Sequence, residues 1–403
     1  PRRANQLGGR TPERRRHQMS VVLNPGDMIG ILGSGQLGRM IALAAARLGI
    51  RAHIYCPDPG PAFDVCAQYT IAAYDDEKAL AAFADSVAVV SYEFENVPAK
   101  TAAFLEARKP VRPGPRALAI TQDRFTEKSF LNDLGIPTAP FAAVDSVADL
   151  EKAVAKLGRP SVLKTRRFGY DGKGQTMIRE GSDLAEAFAS VGGGACILEG
   201  FVPFQREVSV IGARGLDGSF AAFDVCENEH AHHILSRTIV PAHASAATQK
   251  AAIDMAGRIA AALDYVGVIT VEMFLVEEAQ TERIVVNEIA PRVHNSGHWT
   301  IEGARTSQFE NHLRAVLDLP LGSPAQVSPI TVMVNLLGQD LDNLHSAFRH
   351  VMARDPGIKV HLYGKDVKKG RKIGHVNVVG DNLGDLTQRA WHAADYLTGV
   401  IDE

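Results

Sequence analysis

Between Met28 and Phe94 the chain alternates apolar runs with amphipathic ones: MIGILG, GRMIALAAARLG, RAHIYCP, DEKALAAFA and VAVVSYEF follow in that order. Strand and helix signals in alternation demand a parallel sheet covered by helices, because each strand needs a crossover to return in the same direction. The first strand-to-helix turn is GILGSGQLGRM, Gly30 to Met40, which fits G-x-G-x-x-G at Gly33, Gly35 and Gly38. Glycines there let backbone N–H groups approach an anion at a helix N-terminus. A dinucleotide also wants an acidic residue closing the second strand, and HIYCPDPG offers Asp58 only after Pro57, already in a turn. On this motif alone a dinucleotide, another phosphate ligand and a purely structural turn all stay open.

With 403 residues and 46% apolar composition the chain is expected to bury two or three cores, as a multidomain α/β enzyme does. Forty-three basic against 46 acidic residues provide no field for binding DNA or RNA, so a small-molecule substrate is favoured. Cys56, Cys66, Cys196 and Cys226 show neither C-x-x-C spacing nor disulfide density, which suits a reducing, cytoplasmic setting. The basic stretch 1–27 reads as a disordered leader, or as sequence upstream of a start at Met19. It holds no signal-peptide core, and no apolar run reaches the roughly 18 residues that span a membrane.

Pro110–Ala117, PVRPGPRA, marks a break between units. Helices follow around LGIPTAPF. Strand content then rises through RPSVLKTRRFGYDGKGQTMI and ACILEGFVPFQREVSVIGAR, an α+β pattern. A helix, ATQKAAIDMAGRIAAALDY, leads to two apolar strands flanking the turn EEAQTE, a hairpin. Symmetric pairing about that turn predicts Glu272 opposite Glu288, Phe274 opposite Val286 and Val276 opposite Ile284. Two carboxylates about 5 Å apart and partly desolvated need a proton or a cation between them, and carboxylates suit Mg²⁺; a solvated sheet edge with two unrelated glutamates is the other reading. Asn287 points to the other face in this register, so a ligand role for it requires a bulge or a different pairing.

Three further stretches concentrate polar chemistry. The loop RRFGYDGKG, Arg166 to Gly174, suits a flap whose amides and cations cover phosphoryl oxygens, or a plain hairpin turn. APRVHNSGHWT gathers Arg292, His294, Asn295, Ser296 and His298 directly after the acidic hairpin. Near the C-terminus Lys365, Lys368, Lys369, Arg371 and Lys372 sit in a turn bracketed by Gly364 and Gly370, a solvated face or a phosphate trap. His230, His232 and His233 lack a second cluster at metal-ligand spacing.

Taken in order, GILGSGQLGRM, YEFENVP, KTRRFGYDGKGQ, EVSVIGARGLDGS, NEIAPRVHNSGHWTIEGARTSQFENHLRA and GRKIGHVN resemble the ATP-grasp superfamily, and within it the N5-carboxyaminoimidazole ribonucleotide synthetases. The resemblance runs from about Met28 to the C-terminus. It implies an α/β and α+β multidomain fold: a Rossmann-like pre-ATP-grasp domain at 28–117, a small ATP-grasp subdomain with preceding helices at 118–200, a large subdomain at 201–329 and a small β-rich C-terminal domain at 330–403. It also implies a carbon–nitrogen ligase that uses ATP and Mg²⁺ to carboxylate 5-aminoimidazole ribonucleotide with bicarbonate through carboxyphosphate, as a cytoplasmic homodimer.

By that resemblance Arg124 and Lys164 contact ATP phosphates, Glu199 and Val202 flank adenine, Glu207 holds the ribose, and His230 and Asn287 lie near the nucleotide. Glu272 and Glu288 match the magnesium ligands. Arg292, His294 and Asn295 match the bicarbonate and carboxyphosphate pocket, and Tyr170, Asp171 and Lys173 the loop closing on the aminoimidazole, with Asp171 one of the groups able to take the amine proton. Glu95 matches a substrate-side carboxylate. Gly35, Gln36 and Leu37 match amides on the ribonucleotide phosphate, with Lys365 and Arg371 as its cations. Alternatives are a sister ligase such as formate-dependent glycinamide ribonucleotide transformylase, an NAD oxidoreductase, and a non-catalytic nucleotide-binding regulator.

Overall fold

The computed structural model describes residues 23, 24, 26–169, 172–339, 341 and 343–402. Most of the expected leader lies outside the described residues, and so do Tyr170 and Asp171 of the flap.

The N-terminal alternation folds as expected. Strands β1 (Met28–Leu32), β2 (Arg51–Cys56), β3 (Gln68–Ile71) and β4 (Val89–Tyr92) form a wholly parallel sheet in the order β3-β2-β1-β4. Strand β1 is apolar throughout because both its faces are covered. Ile29 and Ile31 pack with Met40, Ile41 and Ala45 of the helix Gln36–Arg47, while Met28 and Leu32 pack with Leu80 and Phe83 of the helix Glu77–Ser86.

After helices Pro115–Thr121 and Arg124–Asp133 comes a small antiparallel sheet of β5 (Phe141–Val144), β6 (Ser161–Thr165), β7 (Gln175–Ile178) and β8 (Cys196–Gly200), ordered β5-β8-β6-β7. The helix Val147–Leu157 closes it with Leu150, Ala153 and Val154 against Leu163 and Leu198. The largest sheet holds β9 (Arg206–Arg214), β10 (Phe220–Ala222), β11 (Cys226–Ala231), β12 (Ile234–Val240), β13 (Gly267–Glu278), β14 (Thr281–Ala290), β15 (Ile330–Leu337), β16 (Lys359–Leu362) and β17 (Lys372–Gly380). Its order is β14-β13-β9-β11-β12-β15-β17-β16, with β10 on β9. The β-rich C-terminal segment thus continues the sheet that precedes it, through the β12–β15 pairing at Val240 and Thr331. The helix Ala246–Ala262 covers β9 and β13, and the helix Leu383–Thr398 covers β15 and β17.

The parallel sheet and the large sheet are joined by the helix Gln308–Val316. His312 on that helix is fully buried. Its Nδ1 accepts from Val268 N–H at 3.1 Å, which leaves Nε2–H to donate to Ser91 Oγ at 2.8 Å. One imidazole therefore spans both sheets.

The β13–β14 hairpin departs from the predicted register and then returns to it. Ala279 and Gln280 have φ of +47° and +67°, a two-residue loop of the kind that matches strand twist. Phe274 faces Val285 and Val276 faces Arg283, each one residue from the expected partner. An irregularity between Glu272 and Met273 leaves Asn287 as the extra residue, and beyond it Glu272 does face Glu288. The bulge thus supplies the shift that the symmetric turn was expected to supply, and it frees Asn287 from strict alternation.

Candidate active site

The bulged strand is gripped from below by two adjacent residues of the helix Arg124–Asp133. Lys128 Nζ donates to the Asn287 carbonyl at 2.9 Å, and Glu127 Oε1 accepts from Ile289 N–H at 2.8 Å. Glu127 is 3% exposed, and burial with Glu288 nearby pushes its carboxyl up to about 8, so it is neutral near pH 7. Glu288 behaves oppositely. Arg124 donates to its Oε2 at 2.8 Å and holds it ionised against the pull of burial. Burial and the Glu288 charge then raise Glu272. With Glu288 Oε2 on Arg124 and Glu272 Oε1 beside His294, the other oxygen of each carboxylate is placed to meet a hard cation.

Glu199, at the end of β8, accepts from Lys164 Nζ at 2.8 Å and pairs with Lys128 Nζ at 3.5 Å, which holds it down to about 2 despite burial. Burial, together with Arg124 and Lys128, lowers Lys164 even beside Glu199. Three cations therefore surround two ionised carboxylates, an excess of positive charge suited to phosphate. Val202 lies in the linker after β8, where Phe204 stacks on Phe274 at 4.5 Å between ring centroids. Glu207 Oε2 lies 2.7 Å from His230 Nδ1, next to that linker. His232 and His233 instead form the positive-φ turn between β11 and β12, and among the described residues no three-ligand metal cluster occurs.

The flap resolves differently from the expectation for its arginines. Arg166 grips both carboxylate oxygens of Asp123, at 3.1 and 3.0 Å from Nε, and Arg167 donates to Gln122 Oε1 at 2.9 Å. They anchor the root of the loop and are spent on protein partners. At the far side a Cβ on Gly172 would stand 2.6 Å from His233 Cβ, so the loop touches the β11–β12 turn. Lys173 is exposed.

Between flap and hairpin lies a cavity of about 50 Å³ lined by Glu95, Gln122, Arg124, Phe168, Glu288 and Arg292 among others. Arg292 pairs with both oxygens of Glu95, its Nη2 at 3.1 Å from Oε1 and its Nε on Oε2. That guanidinium holds Glu95 below the ordinary carboxylate range although burial opposes it. His294 Nε2 stands 3.1 Å from Glu272 Oε1. Both polar atoms of the Asn295 side chain, and Asn287 Oδ1, are buried without a partner. Such orphaned groups carry a desolvation cost that a ligand would relieve.

The glycine loop holds an anion of its own. Glu93, 7% exposed at the end of β4, accepts from Gly38 N–H at 2.6 Å and from Gly35 N–H. A Cβ on Gly33, whose φ is +105°, would stand 2.4 Å from Glu93 Cγ, and one on Gly35 2.7 Å from Glu93 Oε1. The fingerprint thus admits an internal carboxylate, and the dinucleotide reading falls with it. Gln36 Oε1 accepts from Lys365 Nζ, which brings the basic C-terminal turn onto the same loop. Arg371 Nη1 donates to the Asp366 carbonyl at 3.3 Å. Glu93→Gln swaps an acceptor for a donor facing buried N–H groups, which costs about 1–3 kcal/mol. The expected result is a lower urea midpoint at unchanged slope; an unchanged midpoint would refute the assignment.

The structure therefore gathers Arg124, Lys164, Glu199, Asn287 and Glu288 on one side, Glu95, Glu272, Arg292, His294 and Asn295 around the hairpin's end, and Gly35, Gln36, Leu37 and Lys365 at the glycine loop. Sequence reasoning missed Glu93, Glu127 and Lys128. None carried a sequence signal: the need of Lys128 for buried partners follows from its 1% exposure, which only the folded chain reveals.

Three domain families match the chain: a ribonucleotide synthetase preATP-grasp domain over residues 27–122, an ATP-grasp domain over 129–309, and a phosphoribosylaminoimidazole carboxylase C-terminal domain over 331–389. The chain is 48% identical over 358 residues to an N5-carboxyaminoimidazole ribonucleotide synthase of Brucella melitensis, covering 88% of this chain and 96% of the relative. Among solved structures, an ADP complex of an N5-carboxyaminoimidazole ribonucleotide synthetase superposes with a TM-score of 0.87 at 41% identity, covering 93% and 98% of the two chains. An Aspergillus clavatus N5-carboxyaminoimidazole synthase in complex with ADP and 5-aminoimidazole ribonucleotide gives 0.84 at 30% identity, covering 93% and 99%.

Proposed function

The chain belongs to the N5-carboxyaminoimidazole ribonucleotide synthase family of ATP-grasp ligases, and from that membership we propose how its residues carry out ATP-dependent carboxylation of 5-aminoimidazole ribonucleotide in purine biosynthesis. Bicarbonate is the carboxyl source. Its oxygen attacks the γ-phosphorus of ATP, ADP leaves, and the carboxyphosphate carbon is then taken by the exocyclic amine, with loss of phosphate and a proton. The carrying observation is the small cavity walled by Arg292–Glu95 on one side and Arg124–Glu288 on the other. It lies between the cation-rich nucleotide side and the substrate side, and a short-lived acyl phosphate needs such a screened, charged chamber.

Beside it Lys164 and Arg124 hold ATP phosphates, with Lys128 adding charge through Glu199. Glu199, Val202, Glu207 and His230 receive the nucleoside, and Asn287 turns toward it from the bulge. Mg²⁺ fits the opposed Glu272 and Glu288, where repulsion between carboxylates is otherwise relieved only by a proton; when bound it neutralises phosphate charge. Arg292 and Asn295 hold bicarbonate and carboxyphosphate, which fits the unpartnered Asn295 amide, and His294 lines that pocket through Glu272. Tyr170, Asp171 and Lys173 close on the imidazole, and Glu95 orients Arg292. Gln36, Leu37, Lys365 and Arg371 take the ribonucleotide phosphate beside the resident Glu93. Residues 28–117 and 330–403 thus take the phosphate end of the ribonucleotide, while 118–200 and 201–329 take the ATP and also supply the flap over the imidazole and the bicarbonate pocket. A cytoplasmic homodimer completes the proposal: Tyr69 and Ile71, 54% and 52% exposed on the edge strand β3, supply apolar surface for association, which sedimentation tests.

Measuring ADP release with bicarbonate and 5-aminoimidazole ribonucleotide, against formate and glycinamide ribonucleotide, decides the acceptor. Release only with the second pair would overturn the proposal. Burial and Arg371 lower Lys365 to about 8, so its cation fades as pH rises past that value. The KM for the ribonucleotide is therefore expected to climb between pH 7 and 9. Lys365→Met is expected to raise it about tenfold or more at pH 7 with ATP KM unmoved. Equal changes in both KM values would argue against a phosphate role.

A further inference from the structure

We infer that His294 is fixed as its Nε2–H tautomer by a buried chain of hydrogen bonds from Thr238 through Asn228, Ser209 and Ser296, so that it acts as a donor to Glu272 and is not the base of the reaction. The backbone N–H of Ser296 approaches His294 Nδ1 at 3.3 Å. A backbone N–H can only donate, so Nδ1 carries a lone pair and the ring proton sits on Nε2. The remaining contacts each have one consistent direction. Ser296 Oγ, 2.9 Å from Nδ1, must donate to it. Its only proton being used, Ser296 accepts from Ser209 Oγ at 2.9 Å. Ser209 in turn accepts from Asn228 Nδ2 at 2.9 Å, and Asn228 Oδ1 accepts from Thr238 Oγ1 at 2.9 Å.

The chain crosses β9, β11 and β12 side by side, and Ser209, Thr238 and Ser296 are wholly buried while Asn228 is 6% exposed. A row of hydroxyl and amide groups inside a sheet costs stability relative to apolar residues unless every member is paired, and here each one is. The row ends on the imidazole, and the imidazole ends on Glu272 Oε1 at 3.1 Å. With its Nε2 lone pair absent, His294 cannot accept the amine proton from that side. Ser209, Asn228 and Thr238 are positioning residues acting through His294; what they position it for rests on the function proposed above.

The test uses the full chain labelled with ¹⁵N in its histidine rings, with His294 assigned from the spectrum that His294→Gln lacks. The expected wild-type signature is Nε2–H alone, and Ser209→Ala is expected to show mixed tautomers. It should also lower kcat about tenfold with ATP KM within about twofold, the pattern of a lost positioning contact. Thr238→Val, nearly isosteric, is expected to give a smaller shift in the same direction, and Thr238→Ser to restore the wild-type signature. A wild-type ring protonated on Nδ1, or a ring unchanged in both Ser209→Ala and Thr238→Val, would overturn the inference. The wild-type ring measurement needs no turnover, so an inactive protein with the expected tautomer would refute the proposed reaction alone.

Discussion

Glu288→Gln is expected to lower bicarbonate-dependent turnover at least about a thousandfold, roughly 4 kcal/mol of barrier, without unfolding the protein. The substitution keeps the shape of the side chain and removes the charge that Arg124 holds at 2.8 Å. Arg124 then faces the phosphates without its organiser. Glu272, raised by burial and by the Glu288 charge, loses the second of these and regains a more ordinary affinity for protons. The pair's affinity for a divalent cation should fall, so the residual activity should need more Mg²⁺. The amide oxygen can still accept from Arg124, so the variant should lose only part of the ion pair's stability and keep a cooperative melt, which separates lost chemistry from lost fold. Wild-type activity of Glu288→Gln at low Mg²⁺ is the outcome that sinks the assignment.

Arg292→Leu is expected to cost about 100- to 1000-fold in kcat, as losing a preorganised cation at developing charge does. It also strands Glu95, whose two oxygens both rest on that guanidinium, and so should destabilise the fold by about 2–4 kcal/mol. Pairing it with Glu95→Leu separates the two effects. The double variant should recover most of the urea midpoint and none of the turnover. Recovery of turnover in the double variant would show that the ion pair serves only the fold. Arg292→Lys should not rescue the single change, since an ammonium cannot span both oxygens.

Much of the fold could be read from local pattern, because strand and helix periods repeat over a few residues. The opposition of Glu272 and Glu288 was also predicted, but through a register that holds only beyond the bulge at Asn287. What makes the bulge is non-local: Lys128 and Glu127 on a helix more than 150 positions earlier hold the carbonyl of 287 and the amide of 289. The same limit applies to the glycine loop. Its geometry announces an anion, yet the anion is Glu93, 55 positions beyond Gly38, which no local spacing rule connects to it. The flap arginines read as free cations for the same reason, their partners Asp123 and Gln122 being more than 40 positions away.

The contact between Lys365 and Gln36 joins positions 329 residues apart. Gln36 is thus translated well before the lysine that meets it. The residues proposed to meet ATP, from Arg124 to Glu288, are all translated before that lysine as well. On the roles proposed above, a chain that stops short of Lys365 carries the ATP-side residues but lacks a cation for the ribonucleotide phosphate, so ATP would be without the acceptor that commits it to useful work.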